Sequence, residues 1–227
     1  MKLSNKILIG FFGLSFLYMI LAFTEMGFKG DLNRFTDTNS ISESVDIENV
    51  TYLVLSNLDQ RITIKMSDTS RIEIKSITGD LLKDLQYEIV RDTLTMKPMN
   101  LQEDQLVTVT IYVSQAIFSG FTNNHTGVLI SGLELKTLDI VQTDGWIRMI
   151  GSNKLHKIKL EADHTAYFKI ENGEIDTLQV TMSDSELLVD PPIKLVKGTM
   201  DTDSYLYLRG TDEIQFKKDK SSRLILN

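Results

Sequence analysis

The sequence predicts an all-β protein, a parallel β-helix (β-solenoid), preceded by one N-terminal transmembrane helix. Three observations lead to this prediction: a repeat of about 20 residues over the C-terminal part of the chain, alternation of apolar and polar residues from Tyr52 onward, and an uncharged apolar run near the N-terminus. A unit as short as this repeat cannot bury its own apolar side chains. Its copies therefore have to stack on one another.

The apolar run comprises residues 7–23, and none of its 17 residues is charged. At about 1.5 Å per residue, a helix of this length is just long enough to cross a hydrocarbon core of about 30 Å. Lys2 and Lys6 precede the run, which favours a cytoplasmic N-terminus. No small-x-small cleavage site follows it, so we expect residues 1–24 to be an uncleaved signal anchor. The rest of the chain is then exported to the periplasmic side of the inner membrane; cleavage at an atypical site is the alternative.

Residues 25–50 are expected to form a polar tether, because Ser, Thr, Asn and Asp dominate them and no apolar period is present. The β-solenoid domain is predicted over residues 51–227. In its first part, short alternating segments separated by Asn, Asp and Ser predict strands. Residues 79–85 alone are expected to form a short helix. The predicted strands are 52–55, 61–65, 71–75, 85–89, 93–96 and 107–113.

The repeat itself contains two short arms per unit, each with apolar residues at alternate positions, as in a strand. Asp, Ser and Gly separate the arms, and these residues accept tight bends. A further coil is predicted over residues 117–132. The openings of the units also match the first half of a leucine-rich repeat, but the second arms alternate like strands, which favours the β-solenoid. Five units begin near Leu135, Leu155, Ile175, Ile193 and Thr211.

A family resemblance is carried by strand and turn segments alone. These segments are Arg61-Ile62-Thr63-Ile64, Ser67-Asp68, Ile72-Glu73-Ile74, Leu81-Leu82, Leu85-Gln86-Tyr87-Glu88-Ile89, Asp92-Thr93-Leu94-Thr95 and Val107-Thr108-Val109-Thr110-Ile111-Tyr112-Val113. Together they resemble the GIN-type domain, the putative auto-transporter adhesin head family, from about Thr51 to the C-terminus. The resemblance implies a right-handed coil, a place on the bacterial envelope and an adhesin-like role.

Chemistry-bearing residues are sparse in this sequence. The three histidines, His125, His156 and His164, do not have the spacing of a zinc site, and there are no cysteines. No phosphate-binding loop or nucleophile elbow is present. We therefore expect a protein that is not an enzyme, with no catalytic residue, no cofactor and no metal site.

The turns between the arms carry one acid each in successive units. Stacking would align these acids along one edge of the solenoid at about 4.8 Å per strand. The simpler interpretation is that they cap bends. The alternatives are a Ca²⁺ site or the paired carboxylates of a polysaccharide-acting β-helix enzyme. The acids are Asp144, Asp163, Asp184, Asp203 and Asp219.

Outward arm positions supply the predicted binding face, which consists of Trp146, Arg148, Lys159, Lys169 and Tyr207. The predicted function is a membrane-anchored, adhesin-like or scaffolding module that binds a protein or polysaccharide partner. A net charge of −7 disfavours nucleic acid as that partner. The last arm, residues 224–226, has no polar cap, so self-association through the C-terminal coil is a further expectation.

Overall fold

The computed structural model describes residues 12, 15–19, 40–99 and 107–227. The chain divides into two compact units, Met1–Ser40 and Ile41–Asn227. Within the predicted anchor, residues 12 and 15–19 are helical, and the rest of residues 7–23 lies outside the described residues. The described residues include no helix that is both long and apolar enough to span a membrane.

The second unit is built from strands, with one turn of 3₁₀ helix at Leu82–Asp84, inside the segment predicted to be helical. The strands in its described part are β1 (Ile41–Asp46), β2 (Tyr52–Ser56), β3 (Ile62–Ser67), β4 (Arg71–Ser76), β5 (Tyr87–Val90), β6 (Thr93–Met96), β7 (Val107–Ser114), β8 (Gly120–Asn124), β9 (Gly127–Ser131), β10 (Glu134–Thr143), β11 (Trp146–Ile150), β12 (Lys154–Asp163), β13 (Tyr167–Ile170), β14 (Glu174–Ser183), β15 (Glu186–Val189), β16 (Ile193–Asp201), β17 (Tyr205–Leu208), β18 (Thr211–Lys218) and β19 (Arg223–Leu226).

These strands form two sheets along the solenoid, and each coil contributes one strand to each sheet. The ten-stranded sheet has the order β1-β4-β7-β3-β9-β11-β13-β15-β17-β19. The nine-stranded sheet has the order β18-β16-β14-β12-β10-β8-β2-β6-β5. From β8 onward, every strand pairs in parallel with its equivalents in the neighbouring coils.

The five predicted units are confirmed, because β10, β12, β14, β16 and β18 open them in register. Leu135, for example, lies beside Leu155, which lies beside Ile175. The second arms are strands that pair in parallel, so the leucine-rich interpretation is wrong. The coil predicted over residues 117–132 is also present, as β8 and β9. The right-handed sense of the coil stays a prediction.

The first coil is out of sequence order, which the repeat did not predict. Strand β2 lies between β6 and β8, and β3 lies between β7 and β9. Along the sequence, β2 and β3 thus form the first coil. The next coil, β6 and β7, lies on one side of it, and the following coil, β8 and β9, lies on the other side. Strands β1, β4 and β5 are antiparallel to their neighbours and cover this end of the solenoid.

Strand β1 corrects one detail of the sequence interpretation. Residues 41–46 were assigned to the polar tether, yet they form a strand that pairs antiparallel with β4. Its outward positions are polar, and Val45 packs against the core. Pairing with β4, which is distant in sequence, stabilises this strand. Residues 41–46 therefore form a strand although their apolar and polar residues alternate only weakly.

The core lies between the two sheets and consists of inward rows that continue from coil to coil. In the ten-stranded sheet, one row runs Val128, Ile147, Phe168, Leu187 and Leu206, and each of these residues is at most 1% exposed. Such continuous burial, at roughly 25 cal/mol per Å² of apolar surface, stabilises a chain that has no disulfides.

Candidate binding face on the ten-stranded sheet

The outer face of the ten-stranded sheet carries a row of aromatic and charged side chains. The row arises because equivalent positions of successive coils pair in register, about 4.8 Å apart. Its two adjacent aromatic side chains are half-buried, and the third, Tyr205, is 41% exposed. We call this the aromatic row, and it consists of Gly127, Trp146, Tyr167, Glu186, Tyr205 and Arg223.

Gly127 provides the space in which the Trp146 indole lies. A Cβ atom at this glycine would be 2.5 Å from Cζ2 of Trp146, closer than side chains tolerate. The indole therefore lies across the main chain of β9 and is held against it. The guanidinium carbon of Arg61 lies over the ring, 5.5 Å from its centroid. This geometry is a cation–π contact.

A cleft of about 320 Å³ opens at this point of the face. Its lining combines aromatic and apolar side chains with two arginines. A concave, largely apolar surface with a few convergent polar groups is typical of ligand sites. The cleft is lined by Arg61, Leu129, Trp146, Arg148, Ile150 and Tyr167.

Arg148 is held in place by a carboxylate on the next coil. Its Nε donates to Oε1 of Glu171 at 2.8 Å, and its Nη2 donates to the same oxygen. This hydrogen bond lowers the pKa of Glu171 below its ordinary value, and nearby Lys169 adds to the effect. Arg61, in contrast, contacts the Trp146 ring, and no carboxylate in the described residues forms an ion pair with it. The N–H donors of Arg61 are therefore more available to a ligand than those of Arg148.

Four of the five predicted face residues lie on this sheet. Arg148 and Lys169 are register partners, Trp146 lies two residues before Arg148 on β11, and Tyr207 occupies the same row as Arg148 three coils further along. Lys159 does not join them. It lies on β12 of the nine-stranded sheet, where its Nζ donates to Asp139 at 3.1 Å.

The sequence analysis missed Tyr167, Tyr205 and Arg61. The two tyrosines occupy the same arm position as Trp146, directly before the apolar lead, so an alignment of the second arms contained the signal. Arg61 had no such signal. It reaches Trp146 because β3 lies beside β9, and that adjacency follows from the out-of-order first coil.

A second, larger cavity of about 530 Å³ lies where the strands of the nine-stranded sheet begin. Its lining carries charged side chains of both signs, and one acid among them is paired twice. Asp176 accepts from Lys194 Nζ at 2.6 Å and hydrogen-bonds to His156 Nδ1 at 2.7 Å. The hydrogen bonds from Lys194 and then His156 lower the pKa of Asp176. This cavity is the weaker candidate, because its lining contains no tryptophan, tyrosine or phenylalanine on which a ligand could stack.

Three of the five turn acids, Asp144, Asp163 and Asp219, form contacts within the turns. Asp144 has a positive φ of 59°, hydrogen-bonds to His125 Nδ1 at 2.7 Å, and accepts from the main-chain N–H of Gly145. These contacts, the histidine first, lower its pKa. Asp219 accepts from Ser221 Oγ at 2.7 Å and from the N–H of Ser222 at 2.9 Å.

The same two serines lower the pKa of Asp219 well below its ordinary range. Across the described residues, no group of three or more His, Asp or Glu side chains is placed to hold a metal ion. The third histidine, His164, pairs with its neighbour Asp163 at 2.6 Å in an exposed turn.

Comparison with known proteins defines the class of fold. No family model matches this chain, and no curated protein sequence matches it. Among solved structures, a putative adhesin from Parabacteroides distasonis has a TM-score of 0.60 at 9% identity, covering 84% of this chain and 95% of its own. A putative lipid binding protein from the same organism has a TM-score of 0.53 at 9% identity, with 84% and 98% covered.

A third solved structure, a putative adhesin from Bacteroides fragilis, has a TM-score of 0.50 at 9% identity, with 84% and 98% covered. At this level of identity, the likeness concerns the fold alone. This chain therefore shares its β-solenoid fold with proteins that are named as adhesins or lipid-binding proteins.

Proposed function

We propose that this chain is a non-enzymatic, adhesin-like binding module of the bacterial envelope, which holds an extended polysaccharide along its aromatic row. The observation that supports this proposal most directly is the cleft whose lining combines the neighbouring Trp146 and Tyr167 with two arginines. The adhesin names of proteins with the same fold agree with a role in binding rather than catalysis.

The spacing of the aromatic row suits a sugar polymer. The C–H faces of a pyranose ring stack on an aromatic ring, and hydroxyl groups accept hydrogen bonds from guanidinium donors. Trp146 and Tyr167 are one strand apart, and Tyr205 follows two strands later, about 10 Å further along the solenoid. Two linked sugar rings span about this length. A polysaccharide lying along the solenoid axis would therefore meet aromatic rings repeatedly.

Removing the indole tests the binding role. We expect Trp146→Ala to lower affinity for a bound polysaccharide about fivefold or more, since loss of one stacked aromatic contact costs on the order of 1–3 kcal/mol. The measurement is affinity electrophoresis against a panel of soluble bacterial polysaccharides. Lys159→Ala is the matched control, because Lys159 lies on the other sheet and should leave binding unchanged.

Three results would contradict the proposal that the ligand of the aromatic row is a polysaccharide. They are failure of the unaltered protein to bind any member of the panel, equal losses for both variants, and binding that a purified envelope protein alone competes away. The last result would assign the face to a protein partner. Since Trp146 also packs on Gly127, the melting temperature of each variant is measured in parallel to separate lost contacts from lost folding.

Anchoring at the inner membrane is the second part of the proposal, supported by the uncharged residues 7–23 and the lysines before them. We expect the full chain to stay with membranes after alkaline carbonate extraction, and a chain that starts at residue 25 to be released. Protease added to spheroplasts should degrade residues 41–227. Protection of that region in intact spheroplasts would show that it is cytoplasmic and would exclude the proposed location.

A further inference from the structure

The two ends of the solenoid are built differently. At one end, antiparallel strands β1, β4 and β5 lie beside the first coils; Ile72 and Ile74 on β4 are fully buried, whereas Ile41 on β1 and Val90 on β5 are exposed. At the other end, β18 and β19 are the last strands of the two sheets, and within the described part of the chain nothing pairs with their outer edges.

The inward residues of this last coil are correspondingly less covered. Val196 and Leu206 in the preceding coil are 0% exposed. Their counterparts Ile214 and Leu224 are only half-buried, as is Phe216. Leu226 on β19, which occupies the inward position of the buried Leu208, is 56% exposed. This end therefore presents two open strand edges around a partly exposed apolar centre, a surface prone to pairing with another chain.

The sequence of β18 is complementary to itself when reversed. After Thr211 come two acids, Asp212 and Glu213, and the strand ends with Lys217 and Lys218. Glu213, Gln215 and Lys217 occupy the outward row positions of Leu195, Lys197 and Thr199, and Ile214 and Phe216 occupy inward ones. The Gln215 side chain donates to Glu213 at 2.6 Å, which places both side chains on one face.

We propose that a second copy of this chain binds end to end at the last coil, with the two β18 strands antiparallel and centred on Gln215. Glu213 of each copy then lies opposite Lys217 of the other, and Ile214 lies opposite Phe216. Residues directly opposite in an antiparallel pair share a face, so the charges meet outside and the apolar side chains meet in the core. The two-fold axis runs from one sheet to the other.

The same rotation brings the two β19 strands together. In each copy, β19 lies on the sheet opposite β18. A two-fold axis that passes through both sheets therefore makes the two β19 strands antiparallel to each other, as it does the two β18 strands. Both sheets then continue from one copy into the other, and the inward apolar residues Leu224 and Leu226 become covered. The contact is the same surface on both copies and closes on itself, which limits the assembly to a dimer.

Cysteine crosslinking tests the geometry, since the chain has no cysteine of its own. We expect full-length Gln215→Cys, oxidised in mild detergent, to form a disulfide-linked dimer, because the two substituted residues face each other at the axis. Gln179→Cys is the control: it occupies the same outward row two coils earlier, on β14, and should stay monomeric on a non-reducing gel.

Charge exchange tests the register without depending on stability. Glu213→Lys alone and Lys217→Glu alone each place like charges opposite each other twice, so each should raise the dissociation constant of the dimer about tenfold in sedimentation measurements. The double variant restores both opposite-charge pairs and should restore the affinity. A monomer at all concentrations, no recovery in the double variant, or a ladder of larger species with no Gln215→Cys crosslink would overturn the proposal.

Discussion

Phe168→Ala is expected to lower the free energy of unfolding by about 3–5 kcal/mol, the usual cost of truncating a buried aromatic side chain. Phe168 is 1% exposed, and its register partners on the two sides are Ile147 and Leu187. The cavity would lie in the middle of the stack, where each coil is stable only through its neighbours. The loss should therefore extend to the coils on either side.

Denaturation of the purified chain in guanidinium chloride, followed by tryptophan fluorescence, measures this change. The chain has a single tryptophan, Trp146, and it lies on the strand next to Phe168. Lys169→Ala is the control on the same strand, because its side chain points outward, and it should change stability by no more than about 0.5 kcal/mol. If both variants unfold at the same midpoint, the inward assignment of Phe168 is wrong.

Gly198→Ala is expected to cost about 2–4 kcal/mol, because a side chain at this position meets main chain rather than a movable neighbour. A Cβ atom there would lie 1.7 Å from the carbonyl oxygen of Val180, and the φ angle of +145° is one that residues with side chains rarely adopt. The neighbouring strand would have to move away, which would weaken the pairing of β14 with β16.

Gly210→Ala provides the matched comparison for this second prediction. The same added methyl group would be 3.8 Å from Cβ of Pro192, an ordinary van der Waals distance. We expect its melting temperature to stay within a few degrees of the unaltered protein. If Gly198→Ala has the same melting temperature as the Gly210→Ala control, β16 can move away from Val180 at little cost, contrary to the close approach described above.

The cleft and the open end lie at different places along the solenoid, although the aromatic row reaches β19 at Arg223. The cleft lies between β3 and β13, whereas the proposed dimer contact uses β18 and β19. A two-fold dimer would place two aromatic rows on one continuous sheet, and this arrangement would strengthen binding to a long polymer through two linked contacts. Loss of either function leaves the other measurable.

The strands and turns within a single coil could be predicted from the sequence. The apolar alternation of the arms predicted the strands of all five units, and the turn residues between them predicted where the chain reverses. Asp144 and Asp184 adopt positive φ angles in those turns, as short polar residues there tolerate. Four of the five predicted face residues share one sheet because outward positions of equivalent arms align once the coils are in register.

Contacts between segments far apart in sequence could not be predicted from the alternation of apolar and polar residues. Alternation states which side of a strand is apolar, but not which edge it pairs with. Edge pairing decided that β2 and β3 lie inside the stack, that residues 41–46 form a covering strand, and that Arg61 reaches Trp146.

By itself, then, the sequence determined that this protein is a stack of two-arm coils, because a side-chain period of two and a repeat of about 20 residues are local properties of the chain. Only the tertiary structure decided the order of the first coils, the covered and open ends, and the residues that line the cleft. These features depend on which strand edges meet, and the free energy of that choice comes from long-range pairing and burial that no single segment encodes.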